Sequence, residues 1–349
     1  MTTTATRIQM TSLRRRLLIL VTAVLLLAGL GTGMVLHAAS RADRANQPQS
    51  GGPAVSAGKL TLDQKNRLTF LNAAAGPHRT AVASVPSTDP GSGRIATGLK
   101  CARFYAAAGT GICLQSRPGV LKNSNRALLL DADLRTLRTF PLAGTPSRAR
   151  VSPSGRFVAW TVFVSGESYS SAFFSTRTSI LDTRTMRLTP SLETFSVTLD
   201  GKPYDASDIN FWGVTFASDD DTFYATLNTA NRTHLVRGSL SRRTVTTLAQ
   251  NVECPSLSPD GTRVAFKKRV LSGTALWHEY VLDLSTLHET ALAERHSVDD
   301  QAVWLDNHTV AYALPTNGKV GSSDLWTVPA DGTGTPRLLI AGASSPAPL

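Results

Sequence analysis

Six times along the chain, a stretch of about ten residues repeats one design: an apolar strand end, a tight polar turn, then a second apolar strand. The clearest copies are Leu257-Ser-Pro-Asp-Gly-Thr-Arg-Val-Ala-Phe266 and Val151-Ser-Pro-Ser-Gly-Arg-Phe-Val-Ala-Trp160. Proline presets φ at the first corner, Asp or Ser bonds back to the backbone, and Gly supplies the positive φ that closes a hairpin. The other copies keep the spacing with altered letters: Leu62 to Phe70, Tyr105 to Leu114, Phe216 to Ala225 and Trp304 to Tyr312. Their first residues, 62, 105, 151, 216, 257 and 304, lie 43, 46, 65, 41 and 47 apart. A period in the forties built on hairpins is the length of one four-stranded propeller blade, so six copies predict six blades.

The fifth repeat shows the four strands best, with Glu253 to Ser258 innermost, then Arg263 to Val270, His278 to Ser285 and Glu289 to Arg295. Alternation and β-branched enrichment support each, and no helical stripe occurs beyond the N-terminal segment. The expected fold class is all-β. Repeat three is longer by about twenty residues. Its surplus falls in Ser165 to Ser175 and Thr198 to Ser207, whose Ser, Gly and Asp content predicts extended loops.

The Ser-Pro-Asp-Gly-x-x-Val-Ala-Phe hairpin resembles the repeat of TolB-like propellers. The resemblance implies a six-bladed TolB-like β-propeller over residues 58–343, with residues 344–349 left as a tail. It implies the propeller alone, since the chain has no expected room for the N-terminal α/β domain of TolB proteins. Propellers of this kind also precede prolyl oligopeptidase-type hydrolase domains, and no such domain is expected here.

Leu17 to Leu36 is a run of twenty uncharged, largely apolar residues, enough to span about 30 Å of hydrocarbon as a helix. Arg7, Arg14, Arg15 and Arg16 precede it, which places residues 1–16 in the cytoplasm and the propeller outside. Residues 17–39 are therefore expected as an uncleaved, single-pass membrane anchor, the alternative being a signal peptide cut near Ala38-Ala39-Ser40 and a secreted propeller. Position 30 is Leu where a lipoprotein signal requires Cys. Residues 40–57, with Asn, Gln, Pro, Ser and Gly, are expected as a flexible linker.

Thirty-six basic against 25 acidic residues give a net charge of +11. Outside a membrane that balance fits adhesion to anionic lipid or envelope polymer, or simply a basic surface. No basic run interleaved with aromatics occurs in the propeller, so nucleic acid is not an expected partner. Three cysteines make an odd set for an exported chain. In the hairpin register Cys113 faces Phe104 rather than Cys101, so reduced, buried thiols are expected over a Cys101–Cys113 disulfide.

Catalytic patterns are weak. Gly166-Glu167-Ser168-Tyr169-Ser170 falls one residue short of a nucleophile elbow and lies in a hairpin insertion. Scattered histidines give no zinc spacing, and Asp219-Asp220-Asp221 occupies a turn position rather than a calcium loop, so no metal or cofactor is expected. The polar residues leading into the inner strands are predicted at the channel mouth. They are Arg148 and Arg150 in blade three, Asp208, Asn210 and Trp212 in blade four, Glu253 in blade five, and Asp299, Asp300 and Gln301 in blade six, opposite Lys100 and Arg103. The leading expectation is a non-enzymatic binding propeller whose rim takes a protein, a peptide or an anionic envelope polymer. The alternatives are a lactonase or polysaccharide lyase with a metal on Asp208, Glu253, Asp299 and Asp300, and a sensor accessory of a membrane partner. The sequence gives no oligomeric state.

Overall fold

The computed structural model describes residues 3–45, 47–48, 50–117, 119, 124–170, 173–272, 275–316 and 322–349. They form two units, one built on the N-terminal helix, the other running from Ser50 apart from residues 75–77. The helix spans Thr3–Ala45, and its stretch Arg14–Ser40, 27 residues, is long and apolar enough to cross a membrane. It continues past the expected linker boundary at residue 40. The sequence Ala-Ala-Ser-Arg-Ala-Asp-Arg-Ala holds four alanines and two arginines, all strong helix formers. The other end of that linker is ordered as well, because Val55–Ala57 pairs in parallel with Arg94–Lys100. Residues 46 and 49 of the linker lie outside the described residues.

Six sheets, each with four consecutive antiparallel strands, make six blades. Blade 2 runs Arg103–Ala107, Thr110–Arg117, Ser124–Leu130 and Thr136–Leu142 from first strand to last. Blade 3 runs Thr145–Val151, Phe157–Ser165, Ser175–Asp182 and Arg187–Thr189. Blade 4 runs Asn210–Phe216, Thr222–Thr229, Arg232–Ser239 and Thr244–Gln250. Blade 5 runs Glu253–Leu257, Arg263–Ser272, Ala275–Asp283 and Glu289–Ala291, and blade 6 runs Val303–Trp304, Thr309–Pro315, Ser323–Pro329 and Arg337–Ile340.

Because side chains alternate across a strand, each strand feeds two neighbouring interfaces. Val264 and Phe266 pack towards blade 4 with Tyr224 and Leu235, whereas Ala265 packs towards blade 6 with Trp304 and Tyr312. Repeated around the ring, this gives one apolar core at each of the six blade interfaces. The hairpin turns follow their chemistry. Gly155 and Gly261 sit at φ of 75° and 71°, and their N–H groups donate to Ser152 O and Ser258 O at 2.8 and 2.9 Å. In blade 4, Asp220 takes the positive φ, and the Asp219 carboxylate accepts from the N–H groups of Asp221 and Thr222 at 3.0 and 2.7 Å.

Blade 1 departs from expectation. Residues 62–70 do not form an inner hairpin; Leu62 donates its N–H to Ala132 O and packs into the core shared with blade 2. The blade's second strand is Arg67–Asn72, and its inner strand is Ala343–Pro348, the segment expected as a tail. Pairs such as Leu68 with Pro348 and Asn72 with Ala343 close the ring between the two ends of the propeller. Arg94 fastens the closure by donating to Asn72 Oδ1, Gly342 O and Ala341 O at 2.9, 2.7 and 2.6 Å.

Two further expectations are corrected. Residues 198–207 are not an open loop: Ser196–Leu199 and Lys202–Tyr204 form a hairpin that joins Thr244–Gln250 in parallel, so blade 4 has six strands. Cys101 and Cys113 form a disulfide, with Cα atoms 5.5 Å apart. Cys113 does face Phe104, as the register predicts. Cys101, however, lies outside the strand: the chain bends at Ala102, whose N–H reaches Leu114 O at 2.7 Å, and this bend carries Cys101 back over Cys113. Cys254 is a buried free thiol.

Candidate functional site

The predicted polar residues separate into two groups. Arg148 and Arg150 lie within the inner strand of blade 3 and are 5% exposed, so they line the channel interior rather than lead into the strand. Arg150 donates to Ala302 O at 3.0 Å and stacks 4.5 Å over Tyr105. Gln301 donates to Val214 O and Pro255 O at 3.0 and 2.9 Å, tying blade 6 to blades 4 and 5. The Asp300 carboxylate accepts from Ala313 N–H at 3.1 Å. Between Arg103, Arg148, Asp300, Gln301 and Ser345 only about 20 Å³ is open, room for a single water. Little space remains between these residues, and they brace blades. Lys100 ends Arg94–Lys100, the fourth strand of blade 1 counted from the inside, and belongs to neither group.

Asp299 stands at the boundary. It accepts from Arg148 at 3.1 Å and from Lys267 Nζ. Burial pushes its carboxyl upward, but Lys267 and Arg148 outweigh that and hold it below the usual carboxylate range. Lys267 is fully buried and lies 3.9 Å over the Trp277 ring and 4.7 Å over that of Tyr169. Its register partner across the sheet, Glu279, is also buried, and burial, then the nearby Asp300 charge, pushes its carboxyl up to about 8.

The second group opens on solvent. Asp208, Asn210, Trp212 and Glu253 line a cavity of about 890 Å³ between blades 3, 4 and 5. Asp208 accepts from Thr229 Oγ1 at 2.7 Å and Ala230 N–H at 2.6 Å, bonds that lower its pKa. Asn210 Oδ1 accepts from the backbone and hydroxyl of Thr176 at 3.0 and 2.7 Å. Glu253 accepts from Trp277 Nε1 at 3.0 Å and faces Arg269 at 3.5 Å. Asn228, Asn231, Gln250 and Asn251 add side-chain amides around the opening, with Arg232 and Arg269 as its cations.

Sequence reasoning missed the insertion residues Ser170, Phe173 and Phe174 that line this cavity, and the tyrosine packed behind them. The insertion after Phe157–Ser165 folds inward and seats Tyr169, 1% exposed, against Phe163, Phe174 and Trp212. The Tyr169 hydroxyl shares a 2.7 Å hydrogen bond with Ser147, and Arg148 stacks 4.8 Å from its ring. The only signal was an aromatic at Tyr169, then Phe173-Phe174, in a stretch otherwise rich in Ser and Gly. Residues 171 and 172 of this insertion lie outside the described residues.

No family's sequence profile matches the chain, and no curated protein resembles it in sequence. Solved structures do. TolB from Acinetobacter baumannii aligns at 16% identity with a TM-score of 0.54, over 81% of this chain and 66% of that one. This chain thus spans just under two thirds of that relative. A chain from a nidogen/laminin complex aligns at 12% identity and a TM-score of 0.50, over 81% of this chain and 98% of that one. An oligogalacturonate lyase from Vibrio parahaemolyticus aligns at 8% identity and a TM-score of 0.48, over 77% of this chain and 75% of that one. At such identities the likeness is one of fold.

Proposed function

We propose that this chain, a six-bladed propeller of TolB-like fold preceded by one apolar helix, is a membrane-tethered extracytoplasmic binding protein. Its cavity between blades 3, 4 and 5 receives a projecting segment of a macromolecule at the cell surface. The observation that carries the reading is the cavity itself: about 890 Å³, open at the rim and lined by Phe173, Phe174 and Trp212 among its polar residues. A rigid concave site with a few convergent polar groups is what a propeller offers a ligand. The nidogen/laminin structure supports the reading as a similar fold found in a protein assembly.

The enzyme reading asks Asp208, Glu253, Asp299 and Asp300 to hold a metal together. Each is instead engaged by separate partners: Thr229 and Ala230, Trp277, Lys267 and Arg148, and Ala313 respectively. That separation favours binding over catalysis. The anchor reading rests on the 27-residue apolar stretch and the arginines before it.

A photo-crosslinking residue at Ser207, with the full chain in its native membrane, tests the site. The expected result is a discrete adduct formed from Ser207 and absent from a control at Arg138 in blade 2. Equal labelling from both positions overturns the reading.

A further inference from the structure

Taking the cavity as the binding site, we infer that its ligand is a short stretch of neutral saccharide. The charge is the first reason. Asp208 and Glu253 balance Arg232 and Arg269, and Glu253 already faces Arg269, so the cavity presents no net field that selects an anion or a cation. A basic chain of net charge +11 thus keeps its excess away from this site.

The second reason is the hydrogen-bonding left over. Trp212 is 0% and Glu253 1% exposed, yet among the described residues Trp212 Nε1–H has no acceptor and Glu253 Oε2 has no hydrogen-bond donor. The nearest cation to that oxygen, Lys267 Nζ, is 3.9 Å away. One group is a pure donor and the other a pure acceptor, and both residues line the cavity. Around them, the side-chain amides of Asn228, Asn231 and Gln250 engage no hydrogen-bond partner among the described residues, whereas those of Asn210 and Asn251 are committed to Thr176 and Arg269. Free carboxamides offer donor and acceptor side by side, which matches hydroxyl groups that both give and accept.

The third reason is the aromatic wall. Phe173, 91% exposed, and Phe174 line the same opening and offer flat apolar faces. A sugar ring has an apolar face of C–H groups and a rim of hydroxyls, and so complements phenyl faces beside free carboxamides. An extended peptide instead seeks a sheet edge with unpaired backbone groups. The residues that line this cavity come from three blades rather than from one open sheet edge. Its volume, within the roughly 300–1,000 Å³ of small-molecule sites, suits a few linked rings.

The full chain, in micelles of a detergent without a sugar headgroup, is titrated by calorimetry against neutral tetrasaccharides of glucose, mannose and N-acetylglucosamine. Tetragalacturonate and tetra-alanine serve as the anionic and peptide probes. The expected result is saturable binding of at least one neutral sugar, with a Kd below about 1 mM. Trp212→Phe and Glu253→Gln each weaken it about tenfold, and so does Gln250→Ala, whose exposed site at a strand end leaves the unfolding midpoint unchanged. Absence of neutral-sugar binding, tighter binding of tetragalacturonate or tetra-alanine, or indifference to Gln250→Ala overturns the inference. If the Ser207 adduct forms while every neutral sugar fails, the ligand class falls and the binding reading stands. If both fail, both fall.

Discussion

Glu279 shows how one residue sets the pH response of the molecule. Its carboxyl is buried, faces Lys267 in register, and has Asp300 and Glu294 as like-charged neighbours, so its pKa stands at about 8 against an ordinary 4.5. Between those values the folded chain keeps a proton that the unfolded chain releases, so stability falls as pH rises through the window and levels off above it. Thermal unfolding of the full chain should therefore lose several kcal/mol between pH 5 and pH 9 from this group. Glu279→Gln, which mimics the protonated acid, should flatten that part of the profile; an unchanged slope would count against the assignment. None of this was legible in the sequence. Lys267 and Glu279 stand in ordinary strand positions; the charge of Lys267 is met by Asp299, 32 residues beyond it, and the proton of Glu279 is held by burial and by Asp300. The places of Trp212 and Glu253 on inner strands were legible, because the repeated hairpin alone locates those strands.

Two inner strands approach each other closely at one point. Gly213 has φ of 65°, and a Cβ there would lie 2.7 Å from Cys254 Cα, itself at φ of 51°. Both inner strands depart from regular pairing at these points, and the departures nest, which lets the flanking Trp212 and Glu253 reach the cavity. Gly213→Ala should cost about 2–4 kcal/mol in chemical unfolding, from strain and crowding together. The disulfide makes a second claim at this scale. Under denaturing conditions without reductant one thiol, Cys254, should titrate, and three after reduction. Cys101→Ser should lower stability by about 3 kcal/mol, as expected for a loop of this size. The hairpins were legible because Pro, Asp and Gly act locally on φ. The disulfide and the blade 4 hairpin were not. The first depends on a bend at Ala102, and the second on a parallel partner, Thr244–Gln250, nearly fifty residues away.

The propeller is a ring of six interface cores, and a ring is only as sound as its closure. Blade count and period followed from repeat spacing, but the closing strand did not, since Ala343–Pro348 carries no copy of the repeated turn. Deleting residues 344–349 removes most of blade 1's inner strand together with the Leu349 N–H bond to Arg67 O. The expected outcome is a lower, broader unfolding transition and rapid proteolysis at the edges of blade 1. A midpoint equal to that of the intact chain would show that the closure contributes nothing.

That closure also has a temporal side. Thr69 and Ala347, joined by a hydrogen bond, are 278 positions apart, so their meeting is a late event with a large search behind it. Until then the Arg67–Asn72 strand holds an open row of backbone donors and acceptors, while five later blades have still to assemble. During that interval any chain of suitable pattern competes for the vacancy. The last strand to arrive thus settles whether folding ends as a monomeric ring or as an exchange between neighbouring copies.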